Sequence, residues 1–287
     1  MSTKRARKHH FLPQALQRYF LDEKGKIWFA ERSKEERFGD VEVRNTKSTF
    51  KESDYYTVFE GGVLSDRIEK DFYAVIDDFL AGFLREVHAT FDEGSVPIVK
   101  GDALASIRRV AYHSIVRTPE FTSKYDDYEI GRDLLEGTIS EAKERGLDKA
   151  EIERLEVALQ DTRHTRNFGR TIRVKSQAKP NELILRTLDE LEVRFVQSNS
   201  RSSFILSSLG AYRIGNGGHN GLSNPNMEIW MPISPKRALV LLRDTEQRIP
   251  MVLEDDRDHI RHVNEFAVRN SRQVASHSKR LLQSLLG

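Results

Sequence analysis

From Leu64 onward the chain repeats apolar side chains at intervals of three and four: Ile68, Phe72, Val75, Ile76, Phe79, Leu80, Phe83, Leu84 and Val87. That period gathers them on one face of a helix over residues 64–89, and so wide an apolar face must be buried against another element. Ser65 and Asp66 stand where a helix start needs side-chain acceptors for its free N–H groups. The same periodicity predicts helices at 102–117, through Ala103, Ile107, Val110, Ala111 and Ile115, and at 257–285. On the last of these, Ile260, Val263, Ala267, Val274 and Leu281 form a heptad-like stripe, with Asn270 and His277 on it and Asn264 beside it. Buried polar side chains need partners, so these three are expected to hold the N-terminal segment, to line a pocket, or to form a satisfied structural network.

Other stretches change to strand-like patterns. Residues 26–30 and 40–44 flank the polar stretch 33–37 and read as a hairpin. Residues 193–197, 204–207, 228–233 and 238–242 read as strands, and the Gly- and Asn-rich stretch 215–226 as a flexible loop. Polar helices are expected within 125–175, and another over 181–191. The combination predicts an α+β fold, mainly helical, with a small antiparallel sheet. A length of 287 residues permits one large domain or two small ones. The reading favours one, residues 9–287, behind a basic disordered arm of residues 1–8.

Composition narrows the function classes. With 38% apolar and 31% charged residues, no run approaches the roughly 20 apolar residues of a membrane span, so no membrane partner is expected. The charged start lacks the apolar core of a secretory signal. The chain has no cysteine, which excludes disulfides, thiolate metal sites and a cysteine nucleophile, and points towards the cytoplasm. A net charge of +2 means that any affinity for RNA or DNA must come from local patches. Two patches qualify: Lys4, Arg5, Arg7 and Lys8 in the arm, and Arg163, Arg166, Arg170 and Arg173 at helical spacing, interrupted in part by Gly169. Such a stripe can follow a phosphate backbone, although a solvated face is the commoner meaning. No glycine-rich phosphate loop is present, because the 215–221 stretch lacks the following helix that one requires.

The densest chemistry lies at Lys8-His9-His10-Phe11-Leu12-Pro13-Gln14. Pro13 suits a first helical position and pushes Leu12 towards an extended backbone, so residues 9–12 are expected to be extended. Alternation then sends His9 and His10 to opposite sides, and the two imidazoles cannot easily grip one metal ion. One is expected to face a site while the other is packed or hydrogen-bonded; an ordinary solvated pair is the plainer alternative.

Taken in order, this motif with Tyr19-Phe20, the hairpin around Trp28, Asp54-Tyr55-Tyr56-Thr57, Arg117-Thr118-Pro119, residues 204–207, Met231-Pro232-Ile233-Ser234-Pro235 and Val263-Asn264 resembles the domain of unknown function 4238 family. The similarity runs over nearly the whole chain. It implies a single domain and a shared site, and it supplies no reaction; Gln14, Tyr55, Tyr56 and Ser207 within these motifs are candidate binding residues. One departure stands out: where the resemblance implies Phe-x-x-Ser-Asp, this chain reads Phe204-Ile205-Leu206-Ser207-Ser208. The missing acid puts catalysis in doubt unless another carboxylate, such as Asp54, serves.

Two functions are compatible with these residues. In the first, a phosphodiester hydrolase acting on RNA or DNA, His9 or His10 is general acid or base and Arg117 stabilises phosphoryl charge. Asp54 then orients a histidine or holds a divalent ion, Mg or Mn. In the second, a non-catalytic binding module for nucleic acid or protein, the arm and stripe dock the partner and the histidines only pack.

Overall fold

In the computed structural model, Pro13 has an extended backbone (φ −56°, ψ 134°), and it separates strand β1 (Lys8–His10) from helix α1 (Gln14–Gln17). Strands β2 (Ile27–Glu31) and β3 (Glu42–Arg44) form the expected hairpin, Ile27 opposite Arg44 and Phe29 opposite Glu42. Short strands β4 (Lys51–Ser53), β5 (Val58–Glu60) and β6 (Val63–Ser65) follow. A π-helical turn, Glu69–Tyr73, then leads into α2 (Ala74–Asp92). Helices α3 (Gly101–Val116), α4 (Pro119–Thr122), α5 (Asp127–Glu144), α6 (Lys149–Gln160), α7 (Thr162–Ala178) and α8 (Glu182–Asp189) occupy the middle of the chain. The remainder holds β7 (Glu192–Ser198), β8 (Leu206–Ser207), β9 (Tyr212–Ile214), β10 (Glu228–Ser234), β11 (Arg237–Leu242) and β12 (Val252–Asp255). It closes with α9 (Arg257–Asn270), β13 (Gln273–Ser276) and α10 (Lys279–Leu286). The residues described are 8–33, 36–60, 63–199 and 201–287. The fold is α+β, as expected. One expected boundary moves: residues 63–65 pair with β5 as a strand, so the long helix starts only after Asp66.

The elements group into two units. The smaller comprises Ser53–Val75, Thr122–Pro180 and the described end of Met1–His9; the larger comprises His10–Glu52, Ile76–Phe121 and Asn181–Gly287. In the smaller unit α5, α6 and α7 each start on an aspartate, Asp126, Asp148 and Asp161, whose side chain accepts a backbone N–H of the first turn. Helices α5 and α7 meet backbone to backbone at two glycines. A Cβ on Gly169 would lie 1.8 Å from the Asp127 carbonyl oxygen, and one on Gly131 would lie 2.0 Å from that of Thr165. Gly169 therefore does not interrupt the arginine stripe: α7 runs through it unbroken, and glycine is there because no side chain fits.

In the larger unit a five-stranded sheet has the order β12-β7-β11-β10-β9, antiparallel except where β12 runs parallel to β7. Its central strands are buried on both faces, Ile229 to Ile233 and Ala238 to Leu241, which is why they read as continuous apolar runs. A second sheet, β3-β2-β13-β8, packs Ala30, Ile205, Val274 and Leu282 into one apolar cluster. Hydrogen bonds brace the loop at 215–226. Asn224 donates to the Gly215 and His219 carbonyls at 2.7 and 2.8 Å, and Arg243 donates to the carbonyls of Asn224 and Leu222.

The C-terminal segment departs most from the periodicity. The helix expected over 257–285 is two helices with a strand between them. Ile260, Val263 and Ala267 are the buried face of α9, as expected, but Val274 and Ala275 belong to β13. That strand pairs with β2 on one side (Val274 opposite Ala30) and with β8 on the other (Val274 opposite Ser207). Two ladders of backbone hydrogen bonds outweigh a weak helical preference over four residues that include Val274 and Ser276. His277 therefore lies on neither helix, while Asn270 is the exposed last residue of α9.

The glycine crossing yields a sharp prediction. Gly169→Ala is expected to destabilise the protein by about 3 kcal/mol or more, because backbone faces backbone and neither can rotate away. Gly137→Ala, with open space around the same kind of helical position on α5, is expected to stabilise by roughly 0.5–1 kcal/mol. Urea denaturation of both variants checks this; equal effects would contradict it.

Candidate functional site

The residues singled out by the sequence do not form one cluster in either unit. In the smaller unit His9 is 1% exposed, and its Nδ1 accepts the Tyr56 backbone N–H at 2.9 Å. Its ring stacks on Tyr56 with centroids 5.7 Å apart and planes 5° from parallel, and Tyr56 in turn packs on Tyr73 and Tyr55. The Tyr55 hydroxyl pairs with Thr122 Oγ1 at 2.9 Å. Asp54 opens the turn that presents these tyrosines, with φ at 55°, and its carboxylate accepts from Thr57 Oγ1 at 3.4 Å. Asp54, Tyr55, Tyr56 and His9 are thus near one another, but as an aromatic core with a closing turn.

In the larger unit His10 donates from Nε2 to the Thr46 carbonyl at 3.1 Å, while Thr46 Oγ1 donates to Gln14 Oε1 at 3.3 Å. Arg117 at the end of α3 is fully buried and donates to Asp77 of α2 at 2.7 Å. Asn264 is a tether: its Oδ1 accepts the Ile205 N–H at 3.1 Å and its Nδ2 donates to the Ser203 carbonyl at 2.9 Å, fixing the entry to β8. Asn270 is exposed and donates to the Phe266 carbonyl on its own helix. His277 lies beside Ser276 Oγ at 3.4 Å, its pKa lowered first by burial and then by Lys236.

Ser207 and Ser208 reveal a group that the sequence reading missed. Ser208 Oγ bonds to the carboxylate of Glu120 on α4 and accepts the backbone N–H groups of Arg272 and Gln273, each at 3.0 Å. Glu120 Oε1 also accepts the Arg272 N–H at 2.7 Å. The position where an aspartate was expected thus has a carboxylate after all, delivered by Glu120 from elsewhere in the chain. Its sequence signal was the residue directly after Arg117-Thr118-Pro119. Asp54, the substitute considered from sequence, belongs to the other unit. Both lone pairs of the Ser208 hydroxyl are occupied by N–H donors, so it is held as a bracket rather than poised as a nucleophile. Ser207 Oγ is buried next to it and has no hydrogen-bond partner among the described residues.

Of the two basic patches, Lys4, Arg5 and Arg7 lie outside the described residues, and Lys8 is exposed. On α7, Arg173 donates to both oxygens of Asp127 at 2.6 and 3.2 Å, and Arg170 approaches the same carboxylate at 3.4 Å. The stripe is therefore half neutralised; Arg163 and Arg166 are exposed. Among the described residues, no group of three or more His, Cys, Asp or Glu side chains gathers to hold a metal ion.

Buried one turn before Arg117, His113 has its pKa lowered to about 4, first by burial and then by the guanidiniums of Arg117 and Arg109. Unfolded, this imidazole takes up a proton near pH 6.5; folded, it does so only near pH 4. Its contribution to stability is therefore complete above 6.5 and is lost as the pH falls from 6.5 to 4, on the order of 3 kcal/mol in total. His113→Gln is expected to flatten the stability profile over that window, measured by urea midpoints at several pH values. Profiles that stay parallel would show that His113 is not held neutral.

No helix among the described residues is long and apolar enough to cross a membrane. Comparison with curated proteins and with solved structures gives no match. The model of the family described as protein of unknown function (DUF4238) matches residues 8–280, nearly the whole length, and the chain belongs to that family.

Proposed function

We propose that the protein is a non-catalytic nucleic-acid-binding module that engages phosphates through its basic arm and the free half of the α7 stripe. The observation that carries this reading is the state of the expected catalytic groups. His9 is stacked and bonded to backbone, His10 is bonded to a backbone carbonyl, and Arg117 is fully buried against Asp77. A general acid or base must reach its substrate within hydrogen-bond distance, and a side chain 1% exposed does not. Arg163 and Arg166 face solvent on α7, one turn apart on the same side, as binding to successive phosphates requires. A cytoplasmic setting belongs to this reading, since a chain without cysteine needs no oxidising compartment.

One observation supports a phosphodiester hydrolase as a second reading: the buried Ser207 hydroxyl, without a partner among the described residues, beside the Glu120–Ser208 pair. Buried polar groups left unpaired in a native fold are costly and cluster at functional sites. In that reading Glu120, not Asp54, supplies the carboxylate.

Salt dependence of binding to a single-stranded RNA and to a DNA duplex separates the two readings. Each phosphate that is no longer neutralised is expected to flatten the slope of log K against log salt by about 0.7 for a single strand and about 0.9 for a duplex. Removal of residues 1–8 and the double change Arg163→Gln with Arg166→Gln are each expected to do so. Slopes and affinities that stay unchanged in both variants would overturn the binding reading, and degradation of either substrate that disappears in Glu120→Gln would favour the hydrolase.

A further inference from the structure

The break in the C-terminal segment creates a feature that neither basic patch includes. A cavity of about 430 Å³ opens between the start of α9, the start of α10 and the stretch before β8, and four arginines line it: Arg201, Arg257, Arg261 and Arg280. Arg261 is paired with Glu265 at 2.7 Å. Among the described residues the other three have no ion-pair partner, and all three are exposed. Of the nearby acids, Asp256 accepts the N–H groups of Asp258 and His259 as the cap of α9 and Asp255 holds His259, while Asp258 in the first turn of α9 is exposed.

Guanidiniums gathered around one small space repel each other, and the start of α10 adds to the same field. The first turn of α10 carries Lys279 and Arg280 and no acid, the reverse of what the helix dipole favours. An anion in the cavity would relieve both terms. Its lining also includes the apolar Ile260, Leu281 and Leu285. A cavity of this size suits a small ligand rather than a duplex, and the planar guanidinium fork matches phosphate oxygens two at a time. We propose that this cavity binds a phosphate monoester attached to a compact, partly apolar body, such as a mononucleotide or the 5′-phosphorylated end of a nucleic-acid strand. The site goes beyond the α7 reading and stands whether or not that reading holds.

The test is calorimetric titration of the full chain with AMP, adenosine, a 5′-phosphorylated tetranucleotide and its 5′-hydroxyl twin. AMP is expected to bind with a dissociation constant below about 100 µM at low salt, and adenosine at least tenfold more weakly, by roughly the value of one charge-assisted hydrogen bond. Tighter binding of the phosphorylated tetranucleotide than of AMP would identify a strand end; tighter AMP binding would identify a free nucleotide. Arg257→Gln with Arg280→Gln is expected to weaken binding by about tenfold or more without lowering the melting temperature, since both side chains are exposed. If that variant does melt early, Arg201→Gln, outside any helix, is the replacement. No binding by AMP and by the phosphorylated strand, or binding unchanged in the folded variants, would overturn the proposal. Because the readout is a small ligand and not polynucleotide affinity, failure here and failure of the α7 reading remain distinguishable.

Discussion

Four residues, Gln273 to Ser276, are what the larger unit is built around. As β13 all four pair with β2, and Val274 and Ala275 pair with β8 as well; a central strand is hard to displace because every broken pairing leaves polar groups buried. The consequences are local and specific. Residues at the start of β13 and just before it donate their N–H groups to Ser208 and Glu120, so strand pairing and the Glu120–Ser208 bracket reinforce each other. After β13 the chain restarts as α10 on the Ser278 cap, which brings Arg280 to the cavity that Arg257 and Arg261 of α9 also line. A single helix over the same residues would carry Arg257 and Arg280 about 34 Å apart along its axis, at about 1.5 Å per residue.

The same logic explains why the most chemically suggestive residues are poor catalysts. A histidine whose Nδ1 receives a backbone N–H while its face lies on a tyrosine is fixed in position, and the fixing is its structural use. Arg117 shows the charged version: a fully buried guanidinium persists only with partners, and loss of Asp77 would leave it poorly compensated. Groups available for a ligand lie elsewhere, on the exposed arginines of α7 and at the starts of α9 and α10.

Much of the fold was legible because its signals are local. The β2–β3 hairpin follows from alternation around a polar turn, α3 ends where Arg117-Thr118-Pro119 ends it, and β10 and β11 read as buried strands from their unbroken apolar runs. What was illegible depended on residues far apart in sequence. Val274 fits a helical stripe by spacing and becomes a strand only because Ala30 and Ser207 wait on either side. Gly169 looks like a helix breaker until Gly131 is known to face it. Arg170 and Arg173 read as free cations because nothing in their own segment announces Asp127, and Glu120 was passed over because its partner lies 88 residues away. Residue types were read correctly at these sites; their partners were not.

Both the carboxylate bracket and the arginine cavity exist only if the C-terminal segment is helix, strand, helix. Backbone chemical shifts over residues 256–287, with amide cross-peaks from Val274 to Ala30 and Ser207, test this most directly. The account predicts helical shifts over 257–270 and 279–286, extended shifts over 273–276, and cross-strand peaks on both sides of Val274. Unbroken helical shifts from 257 to 286, with no cross-peak from Val274 to either strand, would contradict it.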